Sequence, residues 1–191
     1  MRHSVSRALF AHWNEQRGTR PLPERTDIEP TAIRAALGDI FILGAEPGED
    51  PRFRVAGTRV CALFGRELKA EGFIALWDAG HQARMRRLLT TVGEEEIGVV
   101  AGAHAPTAEG SSCDLELLVL PLRHRGLSGR RMLGALTPLA APTWLGASRL
   151  EPPALDNLRY LIEPAMASSP ALPFKREQPR RNFVVYQGGR P

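Results

Sequence analysis

Lysine is nearly missing from this chain: of 25 basic residues only Lys69 and Lys175 are lysine. The arginine excess runs through every segment, which marks coding bias more than a surface selected to grip phosphate with bidentate forks. Cysteine is equally scarce. Cys61 and Cys113 have no CxxC spacing, so a disulfide scaffold and a zinc ribbon are both excluded. That usage predicts a reduced, cytoplasmic protein. No stretch approaches the ~20 apolar residues of a membrane span. Arg7, His12, Asn14, Glu15 and Gln16 interrupt the apolar core a secretory leader would need. Catalytic patterns are lacking too. His3, His12, His104 and His124 have no metal-ligand spacing, Ser111, Ser112 and Ser128 stand outside any G-x-S-x-G context, and Glu94-Glu95-Glu96 reads as a solvated turn. The glycines of the loop at 126–129 precede no GKS or GKT. The expectation is a protein that is not an enzyme and holds no metal.

What remains is an ordinary globular composition. The 191 residues are 43% hydrophobic and 24% charged, enough for one domain with appendages. The formal charge is +4, which invites a nucleic-acid reading. The excess lies wholly in residues 164–191, where Lys175, Arg176, Arg180, Arg181 and Arg190 face Glu177 alone, and residues 1–163 are neutral. A nucleotide- or nucleic-acid-binding regulator is therefore the alternative reading. It would use that tail and Arg123, Arg125, Arg130 and Arg131 around the loop, arginines able to clamp an anion.

Periodicity gives the layout. In residues 4–17, Val5, Ala8, Leu9, His12, Trp13 and Gln16 share a helical face, with Ser4 placed to cap it and Gly18 to end it. Pro21, Pro23 and Pro30 then enforce an extended connection, and a short helix is expected over 31–37. DIFILGAE (39–46) and RFRVA (52–56) read as strands joined by a polar turn, an antiparallel hairpin. Short helices fill 57–77, and a longer one over 78–92 carries His81, Met85, Leu88, Leu89 and Val92 on one face until Gly93. Strands follow at 97–105, 113–122 and 130–138. The stretch 142–162 is ambiguous. Its Leu155, Leu158, Leu161 and Ile162 suit a helix that Pro152, Pro153 and Pro164 confine. The tail from Pro164 is expected to be extended or mobile, except FVVYQGG (183–189), which has the character of an edge strand or a groove-docking segment. The pattern implies an α+β fold: a five-stranded antiparallel sheet, helices inserted after the second strand, and an N-terminal helix docked on the sheet. Three parts are expected, at 1–37, 38–140 and 141–191.

That order resembles the PAS domain. The run from Trp13 through Arg17, Gly18, Pro21, Pro23, Asp27, Ile28 and Pro30 is similar to the opening of a short, stand-alone bacterial PAS subfamily. So are RFRVAGTRVCALFGREL, LLVLPL, RMLGAL, PTWLG and FVVYQGG, with GTR...FG the most specific piece. The resemblance implies a sensory or adaptor protein in bacterial signal transduction, acting through a small ligand, protein contact or both. It names no cofactor, since most of the subfamily has no assigned ligand. The photoactive flavin signature, similar to GxNCRFLQ, is absent, because Cys61 sits in VCALFG. No kinase, cyclase or helix-turn-helix output segment is present, so a regulatory protein partner is implied.

The resemblance also implies a pocket between sheet and helices, walled by Phe41, Leu43, Val55, Phe64, Trp77, Met85, Leu89, Leu117, Val119 and Leu133. Such a wall suits a small apolar or aromatic ligand; the plain alternative is a filled core. His81, at the start of the long helix, has the position of a haem ligand in some PAS proteins, against the commoner polar contact. Cys61 is a redox candidate if Arg59 and Arg66 lower its pKa, against a small buried side chain. A homodimer is expected through Leu9, Phe10 and Trp13, beside the apolar outer residues Leu118 and Leu120.

Overall fold

The computed structural model describes residues 1–46, 48–107, 109–124, 130–141, 143 and 148–161. Helix α1 (Ser4–Arg17) is capped by His3 rather than Ser4: the His3 Nδ1 accepts the Val5 N–H at 3.2 Å. Gly18 ends it with φ at 56°, a conformation that costs glycine little. Strands β1 (Ile40–Ala45) and β2 (Arg52–Ala56) form the expected hairpin. Then come α2 (Thr58–Leu63), a 3-10 turn at Ile74–Leu76, and α3 (Ala79–Glu94). Strands β3 (Gly98–Pro106), β4 (Ser112–Leu122) and β5 (Arg130–Pro138) follow.

The sheet has six strands, not five. Residues 154–161, which suit a helix by spacing, form strand β6 (Ala154–Leu161) on the edge beside β3. The spatial order is β2-β1-β5-β4-β3-β6, every pair antiparallel. A register shift opposite Ala101–Ala103 explains why the sequence misled. The extra residue breaks the two-residue alternation of β6, so Leu155 and Leu158, three apart as on a helix, share the inner face while Leu161 lies on the outer one. The expected helix over 31–37 shrinks to a 3-10 turn at Arg34–Ala36.

Two apolar layers cover the two faces of the sheet. The inner layer packs the sheet against α2, α3 and the turns between them, around Phe41, Phe53, Phe73, Trp77, Met85 and Leu117. The outer layer packs the sheet against α1 and the proline-rich connection, around Leu9, Trp13, Leu22, Leu118, Leu120 and Leu133. Strand β4 lies between both layers, which accounts for its unbroken apolar run from Leu117 to Leu120. Among the described residues no helix is long and apolar enough to cross a membrane.

Candidate functional site

The inner face brings together eight of the ten expected pocket residues: Phe41, Leu43, Phe64, Trp77, Met85, Leu89, Leu117 and Val119 all belong to one buried cluster. Its centre is aromatic. Phe41 lies 5.6 Å from Phe53 and 5.3 Å from Phe73, and Phe73 lies 5.9 Å from Trp77, ring centre to ring centre. These are edge and tilted contacts typical of a packed core. Gly134 makes room for it, because a Cβ there would overlap the Phe41 ring. One polar atom is left over: the indole N–H of Trp77 is buried and has no acceptor.

The other two residues are corrections. Val55 and Leu133 lie on the opposite face. A register shift between Ile42 and Leu43 adds a residue on β2, so Val55 pairs with Ile42 and joins it on the outer face, where Leu133 also lies, opposite Ile42 on β5. Val55 is 44% exposed.

On the outer face, Leu118 and Leu120 are fully buried in the same cluster as Leu9 and Trp13. The helix expected to pair with a second chain packs on its own sheet, and Phe10 alone of these five stays half-buried, stacked on Trp13 at 6.1 Å. The start of α1 is held by Glu116 of β4. Its carboxylate accepts the backbone N–H of Arg2 at 2.5 Å and of His3 at 3.0 Å. Burial raises the Glu116 pKa, but these hydrogen bonds outweigh it, and the net shift is downward.

Beside α1 the outer face opens into an apolar groove of about 390 Å³. Ile28 and Pro30 of the connection form one wall, Leu37 the end, and Ile42, Val55 and Leu133 the floor. Leu37 (39% exposed) and Val55 are the exposed large apolar residues among those described. Of these six, only Val55 and Leu133 were expected as site residues, and both on the inner face. The available signal is the recurrence of Ile28, Ile33 and Leu37 after Pro23, of which only residues 31–37 entered the expectation, as a short helix.

The two-layered antiparallel sheet, with its helices inserted between β2 and β3, agrees with a family comparison: a sequence model of the PAS domain matches residues 1–137. The chain belongs to the PAS-domain family. Among solved structures it is similar to an RNA-binding light-oxygen-voltage receptor, at 17% identity and a TM-score of 0.42. That match covers 62% of this chain and 36% of the receptor chain, so this PAS chain spans little more than a third of it. Comparison with curated proteins returns no match.

The GTR...FG stretch of this PAS domain is structural. A Cβ at Gly57 would overlap the carbonyl oxygens of Leu37 and Gly38. Gly38 O accepts the Arg59 and Val60 N–H groups at 2.8 and 3.1 Å, tying the start of α2 to the head of β1. The Arg59 guanidinium forks onto buried Asp39 at 2.8 and 2.5 Å and donates to Ala35 O at 3.1 Å.

The remaining candidates are dispersed. Burial raises the Cys61 pKa, and nearby Glu67 pushes the same way against the Leu68 N–H, so the thiol is not activated. Arg59 and Arg66 are engaged with Asp39 and Glu71 instead. His81 Nδ1 accepts the Leu155 N–H at 3.1 Å, joining α3 to β6. Arg131 reaches toward Glu46 at 3.9 Å, and Arg123 joins Glu24 through a backbone bridge. Arg125, the PTWLG core at 144–146 and the whole tail from 162 lie outside the described residues. Among the described residues no group of three or more His, Cys, Asp or Glu is placed to hold a metal.

Proposed function

We propose that this PAS domain is a non-enzymatic sensory adaptor that relays its signal by contact with a regulatory protein. The observation that carries this reading is the contrast between its two faces. The inner face, where a ligand would sit, is filled by the Phe41, Phe53, Phe73 and Trp77 rings. The outer face leaves Leu37 and Val55 open in a concave apolar surface. A homodimer built on Leu9, Phe10 and Trp13 fits this scheme only as an exchange of α1 between two copies, because each helix already covers Leu118 and Leu120 of its own sheet.

A second reading has one observation behind it. The buried Trp77 N–H without an acceptor suits a small guest carrying a hydrogen-bond acceptor. Native mass spectrometry of freshly purified full chain separates the two. The adaptor reading expects the bare polypeptide mass. A small molecule retained at one per chain, and lost on Trp77→Phe, would replace it with the ligand reading.

A further inference from the structure

We propose that the outer-face groove is occupied by residues 183–186 of the same chain, the FVVY run of the tail. Leu161, the last described residue, lies on the outer face, packed against the layer that holds α1. It also stands in register with the groove. Leu161 pairs with Gly98, which lies against Leu120; Leu120 pairs with Leu133, Leu133 with Ile42, and Ile42 with Val55. The row runs straight across six strands, so five inter-strand steps of about 4.8 Å separate the exit of the tail from the groove floor, roughly 24 Å.

Length and composition then select the segment. Between Leu161 and Phe183 lie 21 residues. A chain of that size reaches at most roughly 70 Å, enough to cover that separation and to pass around α1. A tether long enough to span the separation makes docking of its end an intramolecular event, with a raised effective concentration at the site. FVVY is the longest proline-free apolar run in residues 162–191, flanked by Arg181-Asn182 and Gln187-Gly188-Gly189. It would cover Leu37 and Val55, the large apolar side chains that the described residues leave exposed. Strand addition at β2 is not the geometry, because that edge is already used: Phe53 N–H donates to Glu71 O and Phe73 N–H to Pro51 O. The segment therefore docks through side chains on the face of the sheet.

The consequence for signalling rests on the adaptor reading, since a partner would have to displace the segment; the docking itself does not. The test uses full-length protein with a benzophenone amino acid at position 183. Photo-cross-links within a single chain to Ile28, Leu37, Ile42, Val55 or Leu133 are expected. Cross-links that join two chains, or that avoid these residues, overturn the proposal. Val184→Asp is a second variant that leaves the folded core untouched. It should shift the methyl signals of Ile28, Ile42, Val55 and Leu133 and spare those of Leu89 and Leu117. Unchanged groove signals in Val184→Asp also overturn it. If the bare mass is found and these signals do not move, the adaptor reading stands and only the occupant is lost.

Discussion

The Trp13 indole on α1 donates its N–H to the carbonyl of Pro121 at 2.8 Å, joining residues 108 positions apart. Proline inside a long strand ordinarily breaks a ladder. Here β3 begins at Gly98, level with Leu120, so Pro121 lies beyond the end of that neighbour and loses no partner by lacking an N–H. The proline-rich connection takes over the vacated edge: Arg123 N–H donates to Pro23 O at 3.0 Å, and Arg25 N–H to Arg123 O at 2.9 Å. The helix and the connection thus close the outer face as one unit.

Two substitutions at Trp13 separate packing from hydrogen bonding. Trp13→Ala should cost about 3–5 kcal/mol, the range for deleting a large buried aromatic. Trp13→Phe keeps most of the burial and should cost about 1 kcal/mol for the lost bond. Urea unfolding with light scattering on the same samples checks both. A protein of unchanged stability but altered oligomeric mass in Trp13→Ala would show that the helix serves a second chain instead of its own sheet.

Glu116 gives the outer face a pH dependence of defined sign. Its carboxyl is held below the ordinary glutamate value in the fold, against the opposing effect of burial. The stabilisation is therefore present in full above the unfolded value of about 4.3 and is lost as pH falls through the lower folded value. Glu116→Gln should remove that acid-limb component. At neutral pH it should cost roughly 1.5–3 kcal/mol, the scale for hydrogen bonds to a charged group. Amide exchange at the start of α1 should quicken first. An acid limb identical in Glu116→Gln and the unaltered chain would assign the dependence to other carboxylates.

Gly134 and Phe41 form a tighter relation. A Cβ at 134 overlaps the Phe41 ring, and Phe53 and Phe73 close the ring's other sides. Gly134→Ala should cost about 1–3 kcal/mol as overpacking. Adding Phe41→Leu should recover part of that loss, because the smaller side chain vacates the clash. Thermal melts of the two single variants and the double variant decide the matter; strictly additive losses would place the strain in the backbone instead.

Much of this architecture was readable from residue order. The hairpin strand 52–56, the strand 130–138 and the helix 4–17 fall where the sequence sets them: the helix carries one clear repeat ended by Gly18, and the two strands are short runs bounded by proline, glycine or charge. The edge strand β6 was not readable, since its bulge erases the alternation that marks a strand. The groove was hidden for a related reason. Ile28, Leu37, Ile42, Val55 and Leu133 come from separate segments, and a single register slip decides which face Val55 takes. Such slips are set by tertiary pairing and leave no local pattern in a chain.

Arg59 tests whether the most family-like motif is structural. Its two-pronged contact satisfies Asp39, which is buried, while half of the guanidinium side chain remains in water. Arg59→Ala should leave that carboxylate without its donors and cost roughly 1–3 kcal/mol. Arg59→Lys restores charge but only a single point of contact, so it should recover less than the whole. Asp39→Asn alone should also destabilise, because the fork loses its anion. The decisive quantity is the coupling. In the Arg59→Ala, Asp39→Asn double variant the losses should fall well short of the sum of the two single losses, since each single change already breaks the same contact. Additive losses would mean that the two residues act separately, and the contribution of Arg59 would then have to lie in its bond to the Ala35 carbonyl or in a surface role.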